Sequence, residues 1–326
     1  MLRLPPFEFL APQSVAEAVA LKAEHGTDAM FVAGGTDLYP NMKRRQFEPP
    51  KLIGLSALQE LHTLEFDEGL TLGAGVSLSK IASHPELQKH YPALADAAAL
   101  VSSPQLRSMG TIGGNLCVDT RCTYYDQTFA WRKALGFCMK KDGDICWVAL
   151  SSPKCLAVSS SDCAPLVIAL DAEFRLLGSA GERTVPASAF YQNDGMAYLQ
   201  KHEDELLVSL KFPPRNGWRM SYQKLRRRGS IDFPLLGVAT ALRLSEDDIC
   251  AEARIVLGAV ASCPLQAEDA EAALVGKAIT PERIQQAAQL AARLAKPMDN
   301  TDMSLGYRKK VTTAFVAKAL QAALEG

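Results

Sequence analysis

Apolar residues along the chain switch between two periods, and the switches outline its elements. Val15–His25 repeats at helical spacing, opens behind Ser14, a good N-cap residue, and stops at Gly26. Asp28–Val32 is a short apolar run that reads as a buried strand. It leads through Ala33-Gly34-Gly35-Thr36-Asp37 into a helical stretch, Leu38–Arg45. Lys51–Leu55 reads as the next strand, Leu58–Leu61 as a short helix, and Leu64–Phe66 with Leu70–Leu72 as a hairpin around Asp67-Glu68-Gly69. Ser77 is placed to cap a helix running to Ala82, Tyr91–Leu100 is an alanine-rich helix, and Gln105–Met109 reads as extended chain.

The second half alternates more strictly. Pro165–Leu170 reads as a helix, with Glu173–Leu177 and Gly181–Val185 as a strand hairpin. Leu206–Phe212 is a strand closed by Pro213-Pro214. Trp218–Arg226 places Tyr222, Lys224 and Arg226 on one strand face, and Leu236–Leu244 with Ala251–Leu257 reads as an antiparallel pair. Ala267–Leu274, Pro281–Leu294 and Lys309–Leu324 are amphipathic helices, the middle one opening at Thr280 with Pro281 in its first position. The pattern predicts an α+β protein. Its domains are expected at 1–56, 57–214 and 215–326, with the Pro-Pro pair as a boundary and the last part a small α+β cap.

Bulk properties narrow the function. A chain of 326 residues exceeds one ordinary core. With 35 basic and 36 acidic residues, it has no charge balance that points to nucleic acid. The longest apolar runs, such as Ala97–Val101, are far too short for a membrane span. Met1–Pro6 has no leader pattern, so the expected compartment is the cytoplasm, where thiols stay reduced.

Two glycine pairs carry candidate chemistry. Gly34-Gly35 sits between a strand and a helix, and Gly113-Gly114, in Thr111-Ile112-Gly113-Gly114-Asn115, follows an extended stretch. Glycine allows backbone N–H groups to approach a phosphate closely, so two such turns fit two nests facing a pyrophosphate; a pair of tight turns without ligand fits the same residues. Gly73-Ala74-Gly75 lacks the third glycine of a dinucleotide fingerprint, since Leu78 stands there, and reads as a turn. Arg226-Arg227-Arg228 fits either a phosphate contact or a solvated charge run.

Of eight cysteines, Cys122, Cys138, Cys146 and Cys155 fall within fewer than forty residues, at spacings x15, x7 and x8. Neither a ferredoxin C-x2-C-x2-C run nor a zinc-like C-x2-C pair is present. Four thiolates do suit a cubane. The surrounding Tyr124, Tyr125, Phe129, Trp131, Phe137 and Trp147 would keep water away, and Lys133, Lys140, Lys141 and Lys154 would offset negative charge. A four-thiolate zinc site and a loop with inert buried cysteines are the other readings. Cys163, Cys250 and Cys263 fall in expected core elements and read as structural.

Taken together, Ala33–Leu38, Gly110–Asn115, Asp162 in Ser-Asp-x-Ala-Pro, Tyr222-x-Lys224 before Arg226-Arg227, Ile255–Ala261 and Tyr307-Arg308 resemble the FAD-binding medium subunit of the molybdenum hydroxylases. This is the xanthine dehydrogenase and carbon monoxide dehydrogenase family, and the likeness spans essentially the whole chain. It implies a two-subdomain FAD-binding fold of the PCMH/vanillyl-alcohol-oxidase kind plus a C-terminal α+β domain. The FAD contacts it implies are Ala29, Met30, Phe31, Val32, Ala33, Gly34, Gly35, Thr36, Asp37, Val101, Thr111, Ile112, Gly113, Gly114, Asn115, Asp162 and Lys224. Asp162 would bind the ribityl or ribose side. Lys224 would lie near the isoalloxazine, where a cation stabilises a reduced, anionic flavin.

Asn115 and Asp162 stand further apart than the family pattern has them, and residues 119–158, with the four cysteines, are read as an insertion. That insertion resembles the β subunit of 4-hydroxybenzoyl-CoA reductase, which carries an extra [4Fe–4S] cluster. The resemblance implies a redox relay without catalytic residues of its own. A ferredoxin would feed the cluster, and electrons would pass through FAD to [2Fe–2S] centres on a small subunit and a molybdenum cofactor on a large subunit, in a dimer of heterotrimers. Two alternatives stand beside it: the FAD subunit of an oxidative molybdenum hydroxylase whose insertion binds no cluster, and a zinc-stapled assembly module.

Overall fold

The structure, a computed structural model, describes residues 2–215 and 217–325. Its first unit is a small parallel sheet of order β1-β3-β2, from β1 (Glu8–Leu10), β2 (Ala29–Val32) and β3 (Lys51–Gly54). Parallel neighbours need crossovers, and the chain supplies two helices for them. Val15–His25 starts where Ser14 Oγ accepts from Glu17 N, and it buries Val15, Ala18 and Val19 on the sheet side. Leu38–Lys43 links β2 to β3.

A five-stranded antiparallel sheet follows, ordered β4-β5-β8-β6-β7, from β4 (Leu64–Glu65), β5 (Leu70–Gly73), β6 (Glu173–Gly178), β7 (Gly181–Pro186) and β8 (Leu206–Phe212). Between β5 and β6 the chain makes seven short helices, and Leu72, Leu94, Ile112, Leu166, Phe174 and Phe190 close the largest core. One helix corrects the sequence reading. Pro104–Met109 is helical rather than extended: Ser103 Oγ caps it by accepting from Leu106 N, and Pro104 takes the first position.

The third sheet runs β12-β11-β10-β9, from β9 (Trp218–Leu225), β10 (Leu236–Leu244), β11 (Cys250–Gly258) and β12 (Leu265–Gln266). Its two faces meet different partners. Ala239 and Ala241 pack into the central core, where small side chains let helices approach closely. Leu236, Val238 and Leu242 face the helices Glu268–Leu274, Pro281–Ala292 and Leu305–Glu325. Ser221 and Thr240 hydroxyls both donate to Ala319 O, at 2.8 and 3.1 Å, which fixes the long last helix on the sheet.

The cysteine-rich segment leaves this framework at one neck. Arg121 N donates to Val158 O at 2.8 Å and Val158 N to Arg121 O at 2.7 Å. Its only helix among the described residues is Phe129–Ala134, capped by Thr128. Arg132, 2% exposed, donates to Arg44 O and Arg45 O at the end of Leu38–Lys43, and Gln46 Nε2 donates to Tyr125 O at 2.7 Å. Asn300 grips the other flank through Leu156 O and Thr123 N. Few regular backbone ladders hold this segment; contacts with residues 44–46 and with Asn300 do.

Candidate functional site

After β2 the chain turns through Ala33–Asp37. A Cβ on Gly34 would run into the carbonyl of Met109, so the first glycine turn is seated directly on the helix Pro104–Met109 that precedes the second. Among the described residues the N–H groups of Gly34, Gly35, Thr36 and Asp37 have no acceptor within the chain. Successive free N–H groups around a concavity suit an anion.

The second glycine pair is built differently from the expectation of a matching nest. Ile112–Leu116 is a short helix whose N–H groups are already used. Ile112 N donates to Val76 O at 3.0 Å, Gly113 N to Ala74 O at 2.8 Å, and Gly114 N to Thr111 Oγ1 at 3.1 Å. A Cβ on Gly113 would come within 2.7 Å of Ala74 Cβ. This glycine is needed for packing, and the Gly73-Ala74-Gly75 turn is the surface it packs on. Asn115 Oδ1 then accepts from Ser161 Oγ at 2.8 Å and Cys163 N at 3.2 Å, tying the motif to the Asp162 stretch.

Both glycine motifs line one cleft of about 640 Å³. Ala29, Met30, Phe31, Val32, Ala33, Gly34, Gly35, Thr36, Asp37, Val101, Thr111, Gly113, Gly114 and Asn115 all face it. Three residues singled out from the sequence do not. Ile112 is fully buried in the core. Asp162 and Lys224 pair behind the wall, Lys224 Nζ to Asp162 Oδ2 at 2.9 Å, with Tyr222 Oη donating to Asp162 Oδ1 at 2.9 Å. Burial pushes the Asp162 carboxyl up, with Lys224 opposing, and burial pushes the Tyr222 hydroxyl well above its ordinary value.

Lys224 also donates to Leu100 O at 3.0 Å and Asp232 O at 2.8 Å. The neighbours of these two residues, Val101 and Phe233, line the cleft. The pair therefore holds wall residues in place. Residues the sequence did not reveal include Ala74, Gly75, Ser102, Asp119, Tyr198, Lys201, Glu205 and Phe233. They come from five separate stretches of chain, and no short-range pattern marks them.

Arg121 carries the cleft wall into the cysteine-rich segment. It pairs with Asp37, donates to Asn41 Oδ1 and Asp126 Oδ1 at 3.3 Å each, and lies 4.6 Å from the Phe233 ring centroid. Beyond it, Cys122, Cys138, Cys146 and Cys155 all line one small cavity, together with Tyr124, Tyr125, Met139, Lys140, Trp147, Val148 and Ala157. Each of the four thiols is buried and in no disulfide. Burial pushes Cys122 up to about 12, with Cys155 and Cys138 nearby adding to the shift, and Cys155 up to about 11, with Lys140 opposing.

Four thiols around one apolar cavity fit a polynuclear iron–sulfur group by donor type and number. A single zinc ion, at about 2.3 Å from each sulfur, would draw them to about 3.8 Å of one another. Among the described residues no three His, Cys, Asp or Glu side chains are placed to hold a single metal ion of any kind. The cleft, with its unused N–H groups beside a largely apolar hollow, fits the pyrophosphate and ring system of FAD. No helix among the described residues is long and apolar enough to cross a membrane.

Comparison with known proteins agrees with the cleft. Residues 5–215 match the family described as the FAD binding domain in molybdopterin dehydrogenase, and residues 220–323 match the CO dehydrogenase flavoprotein C-terminal domain. The carbon monoxide dehydrogenase medium chain of Hydrogenophaga pseudoflava is 33% identical over 324 residues, covering 98% of this chain and 97% of that one. The aldehyde oxidoreductase FAD-binding subunit of Escherichia coli (strain K12) is 32% identical, covering 82% and 86%. Among solved structures, carbon monoxide dehydrogenase from Hydrogenophaga pseudoflava superposes with TM-score 0.81 at 33% identity, covering 99% of both chains. Quinoline 2-oxidoreductase from Pseudomonas putida 86 does so with TM-score 0.79 at 27%, also over 99% of both.

Proposed function

The chain belongs to the molybdenum hydroxylase family as an FAD-binding medium subunit, and from that premise we propose that it relays electrons between FAD bound in its cleft and centres on partner chains. The observation that carries this reading is the cleft, where unused N–H groups of Gly34–Asp37 meet an apolar hollow. The backbone of Gly34, Gly35, Thr36 and Asp37 would hold the pyrophosphate, and Met30, Phe31 and Val101 would cover apolar parts of the cofactor. Bound FAD supplies the exchange between one- and two-electron chemistry. Lys224 and Asp162 keep Val101 and Phe233 in position. No side chain of this subunit acts on the substrate. Two partners complete the assembly, one with [2Fe–2S] centres and one with the molybdenum cofactor.

Two finer readings differ in what enters at the cysteine cavity. The names of the matched proteins, carbon monoxide dehydrogenase medium chains foremost, favour an oxidative complex in which electrons leave through the cleft. The four thiols around one cavity favour a second reading, an added iron–sulfur centre fed by a low-potential carrier such as ferredoxin. In that reading the assembly reduces 4-hydroxybenzoyl-CoA: two electrons and two protons replace the ring hydroxyl by hydrogen and release water. Turnover assays on the anaerobic complex separate the two. Benzoyl-CoA formed from reduced ferredoxin and 4-hydroxybenzoyl-CoA supports the reductase. Dye reduction by carbon monoxide or another oxidisable substrate, with no benzoyl-CoA, supports the oxidative enzyme. Isolation without flavin would overturn both.

A further inference from the structure

We propose that Lys140 and Asp119 form the electrostatic link between the cysteine cavity and the cleft, and that the Lys140 charge sets the reduction potential of the centre at the four cysteines. The inference rests on the reading that those cysteines hold an iron–sulfur centre. Lys140 lines the cysteine cavity and Asp119 lines the cleft. Lys140 Nζ meets Asp119 Oδ1 at 2.7 Å, and no other ion pair among the described residues has one partner in each wall.

The geometry is fixed rather than incidental. Lys140 Nζ also donates to Thr120 Oγ1 at 2.7 Å and Gly195 O at 2.6 Å, so all three ammonium hydrogens are used. The ammonium lies 4.9 Å from the Tyr125 ring centroid and 5.6 Å from that of Tyr198. Tyr125 belongs to the cysteine cavity and Tyr198 to the cleft, so the cation stands between the two sites. Its side chain is 6% exposed and that of Asp119 is 9% exposed. Asp119 is buried, and its carboxylate stands beside the Tyr125 hydroxyl, whose pKa is raised by burial and by this carboxylate.

Reduction of the centre adds one electron, taken from a one-electron carrier protein, and no proton. The added negative charge is stabilised by a nearby buried cation, since solvent screens such pairs little. Asp119 opposes that effect and reaches the cleft as well. Lys140 is thus a positioning and tuning residue, and nothing requires it to bond the centre.

The test is an anaerobic redox titration of the complex, following the centre by electron paramagnetic resonance and the flavin by visible absorption. Lys140→Met should lower the centre's potential by at least a tenfold change in its reduction equilibrium, 59 mV for one electron. Lys140→Arg should hold it near the parent value. Asp119→Asn should raise the potentials of the centre and the flavin. If Lys140→Met loses its iron, Asp119→Asn carries the test alone. Unmoved potentials in iron-replete variants, or an equal fall in Lys140→Arg and Lys140→Met, overturn the inference alone. A parent protein without iron in this subunit overturns the reading beneath it, and the inference with it.

Discussion

Lys224 on β9 lies 2.9 Å from Asp162, and both side chains are at most 3% exposed. The pair bridges β9 to the chain that returns from the cysteine-rich segment, and its remaining bonds hold Leu100 and Asp232. Removing one partner leaves an uncompensated buried charge. Lys224→Met should therefore destabilise the fold by about 3–5 kcal/mol. Lys224→Met combined with Asp162→Asn should recover part of the loss. Chemical denaturation of the three proteins checks both statements, and additive losses in the double variant would contradict the pairing.

Gly34 makes a second prediction. A methyl group there meets the Met109 carbonyl, a backbone atom that cannot swing aside. Gly34→Ala must push the first glycine turn away from Pro104–Met109 and widen the wall that would hold a pyrophosphate. Flavin affinity should fall about tenfold or more, roughly 1.4 kcal/mol. Titration of flavin-depleted protein with FAD measures it. Helical content by circular dichroism should stay near the parent value.

Acid should weaken the fold partly through Glu205, which lines the cleft. Arg183 holds its carboxylate with two bonds, at 2.5 and 2.8 Å, and His202 N adds a third at 2.6 Å. The Arg183 bonds, first among the causes, keep the Glu205 carboxyl below its ordinary value of 4.5. A depressed folded-state value means that the stabilisation is complete above about pH 4.5 and is lost as pH falls through the lower folded value. Glu205→Gln should lower stability at neutral pH and flatten its decline below pH 4.5. Urea midpoints of the parent and variant across that window test the sign.

Much of the framework was legible because local chemistry and the global fold agree. Ser14, Ser77 and Thr280 cap the helices they precede, and Leu206–Phe212 and Leu236–Leu244 are strands with the bounds their patterns predict. Pro104–Met109 is a helix where the pattern alone gives extended chain: Ser103-Pro104 is a helix-start signal, but six residues carry little periodicity. The second glycine pair has the composition of a nest. Its N–H groups are consumed by Val76, Ala74 and Thr111, and partners so far away in the chain leave no local signal.

The candidate site divides the same way. The residues of the first glycine turn and its strand could be named from one contiguous stretch. Phe233, Tyr198 and Asp119 reach the cleft only through tertiary packing. Cys122, Cys138, Cys146 and Cys155 drew notice by density alone, since their irregular spacing matches no ligand motif. Arg132, Gln46 and Asn300, which hold the segment in shape, carry no sequence signature at all.

An iron–sulfur centre at the four cysteines, beside FAD in the cleft, separates the reductive from the oxidative function. Iron, acid-labile sulfide and FAD per chain should be measured on the anaerobically purified complex, in the parent and in Cys122→Ser, Cys138→Ser, Cys146→Ser and Cys155→Ser. One FAD per chain throughout is expected, with a loss of about four iron and four sulfide in each variant and the partners' centres intact. Iron and sulfide counts unchanged by all four substitutions, or zinc in this subunit in their place, would contradict it.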